Sequence, residues 1–231
     1  MGEDYVIEVL STEWIINSIL SLLYMSLVLF IGFKLNNKKR LLFAKFISYS
    51  LIIFLLLYNF FHFYFGTWFV EKRLPLQLCY ISQLICSIIL FVPKKQLLFD
   101  ILFYCGFLGG IQALITPLID DYTDVKFFYF DYYYVHSTIV LFPLYLFFVL
   151  KMKLTKYSWL KTFLFLNLLV VVIMPINFLL DSNYMYLSKP PNVNHPLATG
   201  IWPYYILKWE IFVLLLLYIT YLIFNSRIFK N

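Results

Sequence analysis

Two residues of this sequence, Cys79 and His136, have the chemistry needed for nucleophilic acyl transfer. Cys79 ends the stretch Leu74-Pro75-Leu76-Gln77-Leu78-Cys79, where a long apolar run begins, and proline favours the first position of a helix. A thiol in the first turns of a helix lies near the positive end of the dipole, which favours the thiolate. His136 lies about seven residues inside a later apolar run, at a similar depth. The pair predicts a thioester-forming nucleophile and its base, and the alternative is that Cys79 is a small buried apolar side chain.

The elements that must position this pair are predicted to be membrane spans. Of 231 residues, 63% are hydrophobic and 13% are charged, with a mean hydropathy of +0.84. Apolar runs long enough to cross about 30 Å of hydrocarbon recur along the chain. We predict an all-α bundle of seven helices that forms a single domain over residues 1–231. The predicted spans are about 14–33, 41–63, 75–92, 97–117, 129–150, 160–180 and 201–224.

Charges in the connections predict the orientation of the bundle. Most of the 18 Lys and Arg residues fall before the second, fourth and sixth spans and after the seventh, whereas acidic residues concentrate on the opposite side. By the positive-inside rule the C-terminus is therefore cytoplasmic and the N-terminus outside. The acidic start of the chain does not resemble a cleavable signal peptide. The basic residues lie in short loops, so the net charge of +6 does not indicate a nucleic-acid partner.

Polar groups concentrate in the predicted outer half of the spans. Because such groups are costly in hydrocarbon, they indicate an outward-facing polar cavity. Gln83 lies one turn after Cys79 and could orient a substrate or stabilise an oxyanion. The stretch from Asn183 to Lys189 is predicted to fold over the cavity as a lid, with Lys189 as a partner for lipid phosphate. We take the supporting residues to be Gln77, Gln83, Thr116, Asn183, Tyr186, Lys189, Tyr205 and Glu210.

Several short motifs occur along the chain in a definite order and spacing. They are Leu74-Pro75-Leu76-Gln77-Leu78-Cys79, Thr116-Pro117, His136 with Pro143-x-Tyr145-Leu146, Asn183-Tyr184-Met185-Tyr186-Leu187 with Lys189-Pro190, and Trp202-Pro203-x-Tyr205 up to Glu210. Together they resemble the YwaF-like family of bacterial integral membrane proteins, which is similar to the eukaryotic transmembrane acyltransferase that remodels ether phospholipids. The resemblance covers about residues 58–225 and implies a Cys nucleophile and a His base, matched here by Cys79 and His136, which are 57 residues apart. Gln77 departs from the pattern, in which His is often expected.

The favoured function is a multi-pass acyltransferase of the cell membrane that acts on phospholipid acyl chains. Its partners would be phospholipid or lysophospholipid substrates, and neither a cofactor nor a metal is expected. The same Cys/His pair with water as acceptor would make a lipid esterase. A small-solute transporter or channel with an outward-facing vestibule is a second alternative, although no repeat relates spans 1–3 to spans 5–7. A metal site would draw on His62, His136, His195 and Cys79, although these residues share no ligand spacing. Asp120, Asp121 and Asp124 are interpreted as a solvated loop, with a calcium or other cation site as the alternative.

Overall fold

The computed structural model describes residues 3–122, 125–190 and 200–226. These residues are mostly helical, which confirms the predicted class. They divide into two compact units, one of residues 1–68 and 79–153 and the other of residues 69–78 and 154–231. That residues 1–231 form a single domain stays a prediction.

The first unit contains five helices and two short strands. The first strand, β1, spans Glu3–Val6, and the helices α1 and α2 follow at Thr12–Lys34 and Asn37–Tyr64. Helix α4 spans Leu78–Ile88 and, apart from Leu78, also belongs to this unit. The remaining elements are α5 at Gln96–Ile115, strand β2 at Leu118–Tyr122 and α6 at Lys126–Phe148.

Helix α6 forms the centre of the first unit. It packs against α1, α2 and α5, and most of its residues from Val135 to Phe147 are buried. At one end of the unit, β1 pairs antiparallel with β2, with Val6 opposite Leu118. The sequence predicted only a loop at 118–128. Instead, the β-branched and aromatic residues of two short segments pair as strands beside the first turns of α6.

The second unit is built on two long helices. These are α7 at Ser158–Leu180 and α8 at Tyr204–Phe224, and they pack against each other. A four-residue helix, α3, spans Val70–Arg73, and a 3-10 turn spans Tyr184–Tyr186. Both short elements contact α7.

Among the described helices, five are long and apolar enough to cross a membrane, namely α1, α2, α5, α7 and α8. Helices α4 and α6 correspond to the other two predicted spans, but neither is both long enough and apolar enough. Helix α4 has 11 residues, or about 16 Å at 1.5 Å per residue. Helix α6 has 23 residues, but its first half carries four tyrosines, an aspartate and a histidine. A helix that is covered by its neighbours does not need an apolar surface, so hydropathy identifies it poorly.

Candidate functional site

Cys79 is the second residue of α4. The prediction that Pro75 is the first helical residue was wrong, because Pro75 lies in a turn and the helix begins at Leu78. The thiol therefore lies closer to the positive helix end than the sequence indicated, among the first backbone N–H groups that have no intrahelical acceptor. Cys79 is half-buried, whereas Cys86 and Cys105 are buried.

His136 lies in the third turn of α6 and is half-buried. Its Nδ1 atom lies 2.7 Å from the carbonyl oxygen of Tyr132, and the two rings lie 4.2 Å apart. A carbonyl oxygen can only accept a hydrogen bond, so Nδ1 carries the proton. In the neutral ring, Nε2 is then the unprotonated nitrogen, and no hydrogen bond to Nε2 is present among the described residues. The imidazole is thus held in the tautomer that a general base requires.

Tyr132 also ties this part of α6 to the end of α5. Its hydroxyl donates to the carbonyl oxygen of Ala113 at 2.7 Å and accepts from the backbone N–H of Leu118 at 3.3 Å. Tyr132, which orients His136 through its carbonyl oxygen, is therefore itself held in place through its hydroxyl. Sequence reasoning missed Tyr132, although its position four residues before His136 places both on one helix face.

Two glycines bring α5 and α6 close together. A Cβ atom added at Gly106 would lie 2.6 Å from the carbonyl oxygen of Ile139. One added at Gly110 would lie 2.6 Å from Cγ2 of Val140 and 3.2 Å from the carbonyl oxygen of His136. Gly106 and Gly110 form a G-x-x-x-G pattern, which lets two helix backbones approach closely. This pattern is visible in the sequence and marks the helix that packs against the backbone of His136.

Asp131 is a further polar residue of the α6 interior. Its side chain is 7% exposed, and its Oδ1 atom is buried without a hydrogen-bond partner in the described part of the chain. Buried polar groups without partners are rare in folded proteins and often mark a functional region.

The first turns of α4 and α6 both pack on α2 through aromatic side chains. The ring of Tyr80, next to Cys79, lies 5.7 Å from that of Tyr58 on α2, which lies 5.7 Å from Phe128 on α6. No hydrogen bond joins the Cys79 thiol to His136 among the described residues. The structure therefore places both residues in one unit, and their approach to within a few ångströms stays a prediction.

The other supporting residues of the first unit bond within the protein. Gln83 is buried, and its Nε2 atom donates to the carbonyl oxygen of Leu51 on α2 at 3.1 Å. The Thr116 hydroxyl donates to the carbonyl oxygen of Gln112 at 3.1 Å, at the end of α5. Both side chains thus join or end helices, and their predicted contact with substrate stays a prediction.

In the second unit, Asn183 organises the stretch that was predicted to be a lid. Its Oδ1 atom accepts hydrogen bonds from the backbone N–H groups of Ser188 and Lys189, and its Nδ2 atom donates to the carbonyl oxygen of Lys189. Tyr184 and Leu187 are buried, so the stretch packs back on its unit. The side chain of Lys189 is exposed.

Three more supporting residues fasten this unit internally. Oε1 of Gln77 accepts from the backbone N–H of Met185 at 2.8 Å. The hydroxyl of buried Tyr205 donates to the carbonyl oxygen of Tyr186 at 2.6 Å. Glu210 accepts from Nδ2 of Asn167 at 3.0 Å and joins α8 to α7.

The metal and cation alternatives are only partly covered by the structure. His195 and Asp124 lie outside the described residues. Within the described ranges, no group of three or more His, Cys, Asp or Glu side chains could hold a metal ion.

Among the described residues, five helices that are long and apolar enough to cross a membrane define a multi-pass α-helical membrane protein. The sequence pattern of the TMEM164 family matches residues 9–221, so the chain belongs to that family. No curated protein and no solved structure matches the chain. The narrower resemblance to YwaF-like bacterial proteins stays a prediction.

Proposed function

We propose that this protein is a membrane-embedded acyltransferase that moves acyl chains between phospholipids, with Cys79 as nucleophile and His136 as base. The observation that carries the proposal is the bond between Nδ1 of His136 and the carbonyl oxygen of Tyr132. This bond leaves the Nε2 lone pair available to take a proton. The position of Cys79 in the first turn of α4 favours the thiolate that would result.

Every proton and bond of the transfer can be assigned to these two side chains. The thiol proton moves to Nε2 as sulfur attacks the ester carbonyl carbon of the donor lipid. The C–O bond then breaks, the leaving oxygen takes the proton from Nε2, and the acyl group remains on Cys79 as a thioester. A lysophospholipid hydroxyl next gives its proton to Nε2 while its oxygen attacks the thioester. The C–S bond breaks, and the thiolate recovers the proton.

We further propose seven spans with the N-terminus outside and the C-terminus cytoplasmic, in the cell membrane. This orientation follows from the distribution of Lys and Arg. The first turns of α4 and α6 would then lie at the outer boundary of headgroup and hydrocarbon, where the ester carbonyls of phospholipids are found. Exposed Lys189 would meet lipid phosphate at the same boundary.

The decisive experiment follows a labelled acyl chain in lipid nanodiscs. The nanodiscs contain the full chain, a donor phospholipid with an isotopically labelled acyl group, and an unlabelled lysophospholipid. We expect labelled acceptor lipid to form and, at early times, the labelled acyl group to appear on the Cys79 peptide. Cys79→Ala should abolish both products, whereas the control Cys86→Ala, on the same helix, should retain them.

Two other results would redirect or end the proposal. Labelled free fatty acid in place of labelled acceptor lipid would identify a lipid esterase that uses the same pair. Full acyl transfer by Cys79→Ala would show that the thiol is not the nucleophile. Comparing the lipids of cells with and without the protein, and with Cys79→Ala, would then identify the natural donor and acceptor.

A further inference from the structure

Tyr184 joins the connection before α4 to the stretch after α7. Its side chain is 1% exposed. The hydroxyl donates to the carbonyl oxygen of Val70 at 2.5 Å and accepts from the backbone N–H of Leu74 at 2.9 Å. Burial raises the pKa of Tyr184 above its usual value, so the hydroxyl keeps its proton at neutral pH. One phenol thus brackets the backbone on both sides of Arg73.

Asn177 fixes the backbone of Tyr184. Its Nδ2 atom donates to the carbonyl oxygen of Tyr184 at 2.9 Å, and its Oδ1 atom accepts from the Tyr184 N–H at 2.9 Å. The Ser182 hydroxyl also donates to Oδ1. Asn177 is 1% exposed, so the end of α7 and the 3-10 turn are joined away from solvent.

Met185 carries the connection to the segment before Cys79. Its N–H donates to Oε1 of Gln77 at 2.8 Å. Met185 and Tyr186 both have a φ of 54°, which is disfavoured for residues other than glycine. The bond that the Met185 N–H donates to Gln77 and the bond that the Tyr205 hydroxyl donates to the carbonyl oxygen of Tyr186 hold this backbone in place. Such strain persists only where the surroundings over-determine the conformation.

We infer that Asn177, Tyr184, Met185 and Gln77 form a latch that orders the chain leading into the first turn of α4. The latch bonds to the backbone at residues 70 and 74 and to the side chain of Gln77, and the chain runs directly from Gln77 through Leu78 into Cys79. Gln77 is therefore a positioning residue and not a group that binds substrate. The consequence for catalysis rests on the proposed function, because it takes Cys79 as the nucleophile.

The oxygen atoms of the latch are already used within the protein. Oε1 of Gln77 accepts from a backbone N–H, and the Tyr184 hydroxyl both donates and accepts. A lipid group that displaced these partners would leave the Met185 N–H, or the backbone groups at Val70 and Leu74, without a hydrogen bond, and an unsatisfied group of this kind is costly. The arrangement therefore fits a mechanical role better than recognition of a substrate.

The test measures hydrogen exchange and acyl transfer on the full chain in nanodiscs. Gln77→Ala removes the acceptor for the Met185 N–H, and Gln77→Glu keeps an acceptor in its place. In Gln77→Ala we expect the amides of residues 81–84, the first that bond within α4, to exchange about tenfold faster, the factor that one hydrogen bond of ordinary net strength supplies. The amides in the middle of α7 should not change. Tyr184→Phe should have the same effect, because it removes the hydroxyl and keeps the ring.

Acyl transfer separates positioning from a loss of folded protein. For Gln77→Ala we expect kcat to fall about 10- to 100-fold, because a small misplacement of the reacting groups slows the reaction by about this factor. The KM for the acceptor lipid should stay within about twofold of wild type. Gln77→Glu should restore kcat. The controls are Gln112→Ala, an exposed glutamine of α5, and Tyr204→Phe, an exposed tyrosine of α8. Neither control should change exchange or kcat.

The outcomes distinguish this inference from the proposed function. Unchanged exchange at residues 81–84 in Gln77→Ala and Tyr184→Phe would overturn the inference, whatever the activity. Faster exchange with unchanged kcat would also overturn it, provided that Cys79→Ala is inactive. If Cys79→Ala remained active, the proposed function would fail, and faster exchange would still support the latch as the element that orders the start of α4.

Discussion

Nδ1 of His136 lies 2.7 Å from the carbonyl oxygen of Tyr132, one helical turn earlier in α6. The distance fixes the tautomer, because a carbonyl oxygen cannot donate. Tyr132 in turn bonds to Ala113 and Leu118, so the packing of α5 against α6 fixes the residue that orients the imidazole. The proposed role of His136 as a base would require support of this kind.

The two nitrogens of His136 can be tested separately. In His136→Asn, the side-chain amide nitrogen can take the place of Nδ1 and keep the bond to Tyr132, but the amide has no base at the position of Nε2. We expect His136→Asn to keep the thermal stability of wild type in detergent and to lose acyl transfer by about 10²- to 10⁴-fold. His136→Ala should lose both the activity and part of the stability. An active His136→Asn variant would show that the imidazole is not the base.

The three cysteines should differ in their reaction with a membrane-permeable iodoacetamide. Cys79 is half-buried and lies at a helix N-terminus, whereas Cys86 is 0% and Cys105 4% exposed. Labelling depends on both exposure and thiolate fraction, so we expect Cys79 to react first when site occupancy is followed by mass spectrometry. His136→Ala should slow the labelling of Cys79 and leave the labelling of Cys86 and Cys105 unchanged. A fluorophosphonate should not label the protein. Equal rates at Cys79 and Cys86 would contradict activation of the thiol.

The long helices could be predicted from the sequence because their apolar runs are long and uninterrupted. The start of α4 could not, since Pro75 fits a turn as well as a first helical position. The strand pairing of Val6 with Leu118 depends on contacts more than a hundred residues apart, which local propensity does not record. Cys79 and His136 were found from residue type and depth. The roles of Tyr132 and Tyr184 depend on backbone atoms that they bond to, and these became visible only in the fold.

Lys189 should affect the choice of lipid headgroup. Its backbone is fixed by Asn183 while its side chain is exposed, so it can present a charge without loosening the stretch. We expect Lys189→Glu to reduce acyl transfer with anionic phospholipids several-fold more than with zwitterionic ones. Lys208→Glu changes another exposed lysine of the same unit and is the control. Equal losses with both lipid classes would indicate that Lys189 is only a solvated charge.

The number of spans depends on whether the segment that contains the short α4 crosses the membrane. Tyr64, at the end of α2, is 73% exposed, and Lys94, after α4, is also exposed. Single cysteines at these positions, in a chain without the native cysteines, should react with an impermeant maleimide from opposite sides. We expect Tyr64→Cys to react from outside and Lys94→Cys only after permeabilisation. Reaction of both from one side would show that the segment containing α4 does not cross the membrane.

The two glycines of α5 should tolerate alanine to different extents. In Gly106→Ala the new Cβ would meet the backbone oxygen of Ile139 at 2.6 Å, whereas in Gly110→Ala it would first meet Cγ2 of Val140 at 2.6 Å. A backbone atom cannot move aside as a side chain can, so we expect Gly106→Ala to lower the free energy of unfolding more than Gly110→Ala does. Each loss should lie within about 1–3 kcal/mol, the usual cost of overpacking. The measurement is denaturant unfolding in a single detergent.

Removing the side chain that blocks Gly110 provides the matched control. Val140→Ala deletes the methyl group that a Cβ at residue 110 would meet, so Gly110→Ala/Val140→Ala should recover part of the stability that Gly110→Ala loses. The same Val140→Ala change should not rescue Gly106→Ala, because the obstacle there is the carbonyl oxygen of Ile139. A Cβ atom at residue 110 would also lie 3.2 Å from the carbonyl oxygen of His136. The rate of acyl transfer should therefore fall in Gly110→Ala and recover in part in Gly110→Ala/Val140→Ala. Equal rescue of both glycine variants would mean that α5 and α6 do not pack through this pair of glycines.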